Sequence, residues 1–386
     1  MANARREVDN YLKLIETGNC SECNSQLDMV GKRSARRHMR AKHRTYSCTK
    51  CTKRFFLHQA ITQHIADAKH TKPHIHSSRA VGESWHVGVL EGSRRGENLD
   101  DFMKRKVFPD EVYTRKSKEL VDRLMMFVQH NTRYSVRRLV VSGSQGKHTN
   151  LMDSSDVDLV MFINDFNTVD EFRDDIRTVV GVLKKHIMDD LNWASDVEMF
   201  ATTMHSVMFK VKLHGYQPIE VDLLPAVDLL ATKTMTQIYD EMSRKSPGKQ
   251  QFYSVCFAEK QAEFVKSVPQ NVKNLIRLVK YWKKTEDVGL KSYVLELLII
   301  HLWRECENRQ FFSMEEMFTK VMKRLRSFSD TKILWGDNYV ASRYNDRIDV
   351  PVLLDVVNPF NNLMPSSDKV RIVEEKAAEL LGRMRK

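Results

Sequence analysis

The sequence predicts an α+β protein of two lobes, a mixed β-sheet lobe and then a helical C-terminal lobe, preceded by two small ββα units that each hold a metal ion. Three observations carry this. Four of the six cysteines form two C-x2-C pairs, Cys20/Cys23 and Cys48/Cys51, each followed by paired histidines. Short β-rich runs bounded by turn residues occupy the middle of the chain. From about residue 255 onward, apolar residues recur at helical spacing. With 386 residues, a chain of this kind holds two or three domains. Its 42% apolar and 29% charged content excludes wholesale disorder. No apolar run reaches the ~18–20 residues of a membrane span, and no apolar signal segment follows Met1. A location in the cytosol or nucleus, away from membranes, is expected.

In a chain without a secretion signal, C-x2-C spacing reads as metal binding before disulfide. Cys20 and Cys23 are followed by His38 and His43; Cys48 and Cys51 are followed by His64 and His70. Each set offers two thiolates and two imidazoles, the tetrahedral complement of a closed structural zinc site, so two zinc ions are expected over 16–72. Tyr46, Phe55 and Ile61 stand where a Cys2His2 finger packs its strand pair on its helix. The charge sits here too. Residues 1–90 carry +9 of the formal +12, and ten Lys/Arg with no acidic residue lie between Gly31 and Arg54. A charged run is ordinarily a solvated face. One this one-sided inside a small folded unit reads as a polyanion-binding surface, with Arg36, Arg37, Arg40, Lys53 and Arg54 as candidates. The wide His64-x5-His70 spacing is similar to that of fingers that bind double-stranded RNA, whose A-form helix is read by shape and phosphates.

Residues 73–98, rich in Gly and Ser, lack periodicity and read as a linker. A sheet lobe is expected over 99–227. Tyr113–Gln129 has helical spacing, with Leu120, Leu124, Phe127 and Val128 on one face. Arg138–Val141, Val157–Ile163 and Ile219–Leu224 read as strands, the last ended by Pro225. Over 228–386 the chain reads as mainly helical, with helices near 255–266, 270–284, 291–306 and 314–327.

The chemistry gathers on the strands. Gly143-Ser144-Gln145-Gly146-Lys147-His148-Thr149 lacks the hydroxyl residue that a P-loop needs directly after its Gly-Lys. On a strand, Asp156 and Asp158 point to one face, where two carboxylates are hard-oxygen ligands for magnesium. Asp222 sits on a later strand; if the two strands are neighbours, three carboxylates meet around two Mg2+ ions. The Gly143-Ser144 turn lets backbone amides approach phosphate closely. A Gly-Ser turn, a D-x-D strand and a distant strand Asp, in that order, indicate a nucleotidyltransferase.

Several segments resemble the 2′-5′-oligoadenylate synthetase family. They are the 143–149 turn with Ser155-Asp156-Val157-Asp158-Leu159-Val160, Glu220-Val221-Asp222-Leu223-Leu224-Pro225-Ala226, Asn274–Trp282, Tyr293-Val294-Leu295-Glu296-Leu297-Leu298, and Pro351–Asp355 with Asn358-Pro359. The resemblance covers roughly 98–365. It implies a two-lobed nucleotidyltransferase fold in which Asp156, Asp158 and Asp222 bind magnesium and Asp222 lies near the attacking hydroxyl. It further implies that Gly143 and Ser144 hold the donor phosphate, Lys147 lines the site, Arg277 and Lys280 meet the triphosphate, and Tyr293 shapes the ATP pocket. Double-stranded RNA would act as activator on a basic face including Lys104, Arg105, Lys106, Lys266 and Lys273. Two departures stand out. His148 replaces a usual glycine, and Ser292 replaces a glutamine before the tyrosine.

The leading expectation is therefore RNA-activated synthesis of 2′-5′-linked oligoadenylates from ATP. A cyclic-dinucleotide synthase, an inert RNA-binding adaptor and an RNA-tailing enzyme are the competing readings. The residues set no oligomeric state.

Overall fold

The computed structural model describes residues 87–152, 156–309, 312–344 and 348–384, with the backbone of three short strands further toward the N-terminus. The chain divides into a small N-terminal unit and a larger one spanning His86–Asn308 and Phe312–Lys386. In the small unit, β1 (Thr45–Cys48) pairs antiparallel with both β2 (Arg54–Phe55) and β3 (Ile75–Ser78). The β1–β2 pair places Tyr46 opposite Phe55. Strand β3 lies within the stretch read as linker, so its first residues are used in a sheet. Cys20, Cys23, His38, His43, Cys51, His64 and His70 lie outside the described residues, as do Arg36, Arg37, Arg40 and Lys53; of Cys48 and Arg54 only the backbone is described.

The larger unit opens on a docked segment. Leu90 is buried, and the Gly92 carbonyl accepts from Arg105. Helix α1 (Leu99–Lys106) starts at Asn98, whose side chain accepts from the Asp101 amide, and α2 (Glu111–Asn131) is capped likewise by Asp110. A five-stranded mixed sheet follows, in the order β4-β5-β8-β7-β6. Its strands are β4 (Val136–Val141), β5 (Asp156–Ile163), β6 (Asp196–Thr202), β7 (Val207–Lys212) and β8 (Ile219–Val227). Only β5 and β8 run parallel. A single turn, α3 (Gly143–Gly146), follows β4, and α4 (Val169–Asp190) covers the sheet with Phe172, Ile176, Val179, Leu183 and Ile187.

Strand β8 does not stop at Pro225 but runs through it to Val227, with Pro225 opposite Met161 of β5. The β7 partner ends opposite Leu223. Pro225 therefore stands beyond the end of β7, where one edge of β8 is already open, the setting in which a strand tolerates proline.

The helical lobe comprises α5 (Met235–Ser243), α6 (Pro247–Gln250), α7 (Ala258–Lys266), α8 (Gln270–Thr285), α9 (Ser292–Glu305), α10 (Met314–Leu325) and α11 (Ser367–Arg383). The helix expected to begin near 255 starts as a 3-10 turn over Gln251–Phe257. Helix α9 is apolar almost all round, with Val294 to Ile300 buried, as a helix at the centre of a lobe must be. Glu296 is the one charge in that buried run. A short parallel pair, β9 (Lys332–Ile333) with β10 (Val352–Leu353), presents the Asp355 segment beneath α7 and α9.

Candidate active site

Parallel pairing of β5 with β8 sets Asp158 directly opposite Asp222, with Asp156 opposite Glu220. Asp158 and Asp222 are half-buried and Asp156 exposed. Burial, then the nearby Asp222 and Asp156 charges, push the Asp158 carboxyl up to about 6 against the pull of Lys147 and Lys280. Burial raises Asp222 as well, with Asp156 adding to it and Ser206 opposing. One Asp222 oxygen, Oδ1, is buried with no hydrogen-bond partner.

Among the described residues, no three carboxylate, imidazole or thiolate groups stand as a ready-made metal cage. Like charges on adjacent strands keep apart; the backbone register is what associates them. The donor set nevertheless fits a hard divalent cation. It offers carboxylate oxygens, one of them an orphaned buried acceptor, in a place where negative charge is held at a cost that a cation would relieve.

The turn after β4 lies against this group. The Ser142 amide donates to the Asp158 carbonyl at 2.8 Å. Gly143 has φ +55°, and a Cβ there would stand 1.6 Å from Asp158 Oδ2. A Cβ on Gly146 would stand 2.0 Å from the Val141 carbonyl oxygen. Both glycines are thus demanded by close approach. Gly143→Ala should lower the thermal melting point, because a left-handed alanine costs ~1 kcal/mol before any overlap is relieved. An unchanged melting curve would show that the turn shifts freely. His148 also has a left-handed backbone, φ 58°, in the position where the resembling family usually has glycine.

Arg277 and Lys280, one turn apart on α8, are both buried and both bind this turn's backbone. Arg277 donates from Nη2 to the His148 carbonyl at 2.7 Å and from Nε to the Asn150 carbonyl at 3.1 Å. Lys280 donates to the Thr149 carbonyl at 2.9 Å. Burial pushes Arg277 down to about 10 and lowers Lys280, which Glu296 partly restores. Residue spacing reveals two cations on one helix face; it does not reveal that they hold backbone carbonyls.

Glu296 is the residue that spacing alone misses. It is 1% exposed. It pairs with Lys147 Nζ at 2.9 Å and lies 3.6 Å from Lys280 Nζ, and it accepts from Thr149 Oγ1 at 2.8 Å. Burial would raise its carboxyl, but Lys147, Lys280 and Thr149 outweigh that and hold it below the ordinary value. Lys147 also sits 4.2 Å from the Tyr293 ring centroid. The signal available was a lone carboxylate inside the apolar run Val294–Ile300, which demands buried partners.

Two hollows flank the carboxylates. A cleft of about 590 Å³ is lined by Ser144, Lys147, Asp156, Lys280, Lys283 and Ser292, among others. A hollow of about 520 Å³ on the other side is lined by Asp222, His205, Phe252 and Gln261. The two share Gly143 and Asp158. The candidate RNA-binding residues of this unit differ in state. Lys104, Lys106 and Lys266 are exposed and Lys273 is buried. Arg105 is held by Glu97 at 2.6 Å and 2.8 Å, which keeps the Glu97 carboxyl down at about 2.

Comparison with known proteins extends this picture. Residues 232–385 match the family model described as 2′-5′-oligoadenylate synthetase 1, domain 2, C-terminus. The chain is 28% identical over 324 residues to 2′-5′-oligoadenylate synthase-like protein 2 of Mus musculus, covering 74% of this chain and 64% of that one, so it spans just under two thirds of that relative's length. It is 28% identical over 300 residues to 2′-5′-oligoadenylate synthase 1A of Mus musculus, covering 69% and 81%. A further relative, from Rattus norvegicus and 29% identical over 321 residues, is named an inactive 2′-5′-oligoadenylate synthase 1B. The solved structure of CdnC from E. coli MS115-1 with ATP superposes with a TM-score of 0.53 at 20% identity, over 74% of this chain and 89% of that one, and this likeness concerns the fold. No helix among the described residues is long and apolar enough to cross a membrane. The helical lobe thus matches the family model over 232–385, and the CdnC structure shares the two-lobed fold.

Proposed function

We propose that the chain is a double-stranded-RNA-activated nucleotidyltransferase that joins ATP into 2′-5′-linked oligoadenylates with release of pyrophosphate, in antiviral defence or nucleic-acid sensing. The observation that carries this reading is the register of Asp158 against Asp222, with the Gly143 turn pressed on Asp158. Similarity to oligoadenylate synthases supports the choice of product.

In this reading the donor ATP occupies the larger cleft. Ser144 and Lys147 face its phosphates, Lys280 lines the same wall, and Tyr293 shapes the nucleotide pocket. Arg277 acts through the turn, holding its carbonyls so that Ser144 and Lys147 keep their places. The acceptor lies in the second hollow with its 2′-hydroxyl beside Asp222. The hydroxyl oxygen attacks the α-phosphorus, the bond from that phosphorus to the pyrophosphate oxygen breaks, and the hydroxyl proton passes to the Asp222 carboxylate. Asp156, Asp158 and Asp222 would hold two Mg2+ ions, which neutralise charge on the phosphates. The activating duplex lies along Lys104, Lys106 and Lys266, while Arg105 is committed to Glu97 and Lys273 is buried. The two zinc-held units add a second grip on the same duplex, raising effective concentration through the tether.

Incubation of the full chain with ATP, GTP, magnesium and a long RNA duplex tests the reading. Linear adenylates that resist a 3′-5′-specific nuclease are the expected product. A cyclic product would sink it, and absence of turnover with any polynucleotide would make the chain a binding adaptor. Removal of residues 1–72 should weaken duplex binding and flatten its salt dependence, since fewer phosphate contacts release fewer counterions. An unchanged salt slope would remove the N-terminal unit from RNA binding.

A further inference from the structure

The second hollow contains a side chain whose orientation is fixed from behind. Gln261, on α7, is half-buried and lines this hollow together with Asp158 and Asp222. Its Nε2 donates to Asp355 Oδ2 at 2.7 Å. Asp355 is 1% exposed. Its other oxygen accepts from the Val357 amide at 2.9 Å and the Asn358 amide at 3.2 Å, with the Tyr293 hydroxyl at 3.4 Å. Four donors thus converge on one carboxylate. That arrangement suits an acceptor, and an acceptor at Asp355 requires the Gln261 amide to turn its N–H2 inward. The carbonyl oxygen Oε1 is then the amide group left for the hollow.

Resting on the transferase reading above, we infer that Asp355 and Gln261 set acceptor specificity: Asp355 is a positioning residue, and Gln261 Oε1 takes a hydrogen bond from an N–H or O–H of the acceptor nucleotide. A free amide could rotate to present either its donor or its acceptor; a clamped one selects. Asp355 also touches the Tyr293 hydroxyl, and Lys147 lies over the Tyr293 ring. One buried carboxylate therefore holds Gln261 of the second hollow and the tyrosine beneath Lys147 of the first. The acceptor's donor group is a purine amine or a ribose hydroxyl, and the two are separable by experiment.

The test uses the full chain with magnesium, a long RNA duplex, ATP and three dinucleotide acceptors, ATP and acceptor each varied at a fixed level of the other. One ends in adenosine, one in purine riboside, which lacks the amine, and one in 3′-deoxyadenosine, which keeps the attacking 2′-hydroxyl. The parent protein should show an acceptor KM raised ~10-fold for one of the two analogues, the worth of one hydrogen bond. Gln261→Leu should raise the adenosine acceptor's KM by the same factor and erase the discrimination, leaving the ATP KM and kcat near the parent's. Asp355→Asn, whose amide can donate and so lets Gln261 turn over, should shift acceptor KM the same way. The double variant should be no worse than Gln261→Leu in acceptor KM. Equal KM for all three acceptors in the parent overturns the inference, and so does a Gln261→Leu effect that falls equally on ATP and acceptor. If the parent transfers nothing, the transferase reading has failed instead. Equilibrium binding of the three dinucleotides then decides the pair: unequal binding that Gln261→Leu levels supports it, and equal binding overturns it.

Discussion

An Asp158→Asn variant should lose about three orders of magnitude in turnover, in the range seen when a charged group acting in the transition state is removed, and yet melt higher than its parent. The two effects have one cause. Asp158 ionises beside Asp156 and Asp222 in a partly dry site, which pushes its carboxyl up to about 6 from an ordinary value of 3.8. The folded state therefore disfavours the charged form relative to the unfolded chain. A group with a raised folded pKa contributes no penalty below its unfolded pKa, a growing one as pH rises toward the folded pKa, and a constant one above it. Holding this carboxylate charged at pH 7.5 costs the fold about 3 kcal/mol, an upper figure because the site is partly solvated. The gain from Asp158→Asn should thus be full above about pH 6, fade through pH 5 and vanish near the unfolded value of 3.8. Melting curves of metal-free protein at pH 4 and pH 7.5 provide the measurement. A gain that is the same at both values would show that charge is not its source. Added magnesium should stabilise the parent more than the variant, because a bound cation relieves the same repulsion.

What could be read from residues follows the range over which each interaction acts. The D-x-D pair is legible because strand alternation puts Asp156 and Asp158 on one face whatever else the chain does. Asp222 is legible because its strand alternates cleanly, and only the pairing of that strand with β5 had to be assumed. The extension of β8 through Pro225 is not legible locally, since it depends on where β7 ends. Helix α4 and the β6–β7 hairpin carry plain periodicity, Phe172–Ile176–Val179–Leu183 and Val207–Phe209–Val211, though they lie outside the elements assigned from sequence. Pairwise contacts across long separations stay hidden. Thr149 meets Glu296 across 147 positions, and Gln261 meets Asp355 across 94. For the same reason the hydrogen bonds from Arg277 and Lys280 to the carbonyls of His148, Thr149 and Asn150 show only in the structure.

The 147–150 turn depends on a buried charge, and Glu296→Leu is where the dependence should be largest. Glu296 is 1% exposed and Lys280 5%. Breaking a buried pair from one side typically costs ~3–5 kcal/mol, because the partner charge stays behind without compensation. Here Lys147 and Lys280 are both left, and the Thr149 hydroxyl loses its acceptor as well. The Thr149 carbonyl would then be held by a lysine that burial already drives toward neutrality, so the 147–150 turn should loosen together with the global stability. A lost pair and a lost shape are distinguishable. If the cost is electrostatic, adding Lys280→Met to Glu296→Leu should recover at least half of it, since apolar groups can replace a buried pair with little net change. If the double variant is as unstable as the single, packing around α9 is the cause. Denaturant unfolding of parent, single and double variants measures this directly, and a Glu296→Leu cost below about 1 kcal/mol, the range of a surface pair, would mean that Glu296 carries no buried charge of consequence. Activity gives the second reading. The double variant should regain stability without regaining turnover, because Lys147 would still lack the partner that aims it at the cleft. Stability and catalysis would then separate at Glu296 as expected at Asp158: there a repulsion among carboxylates weakens the fold, and here an attraction strengthens the fold and holds the 147–150 turn in place.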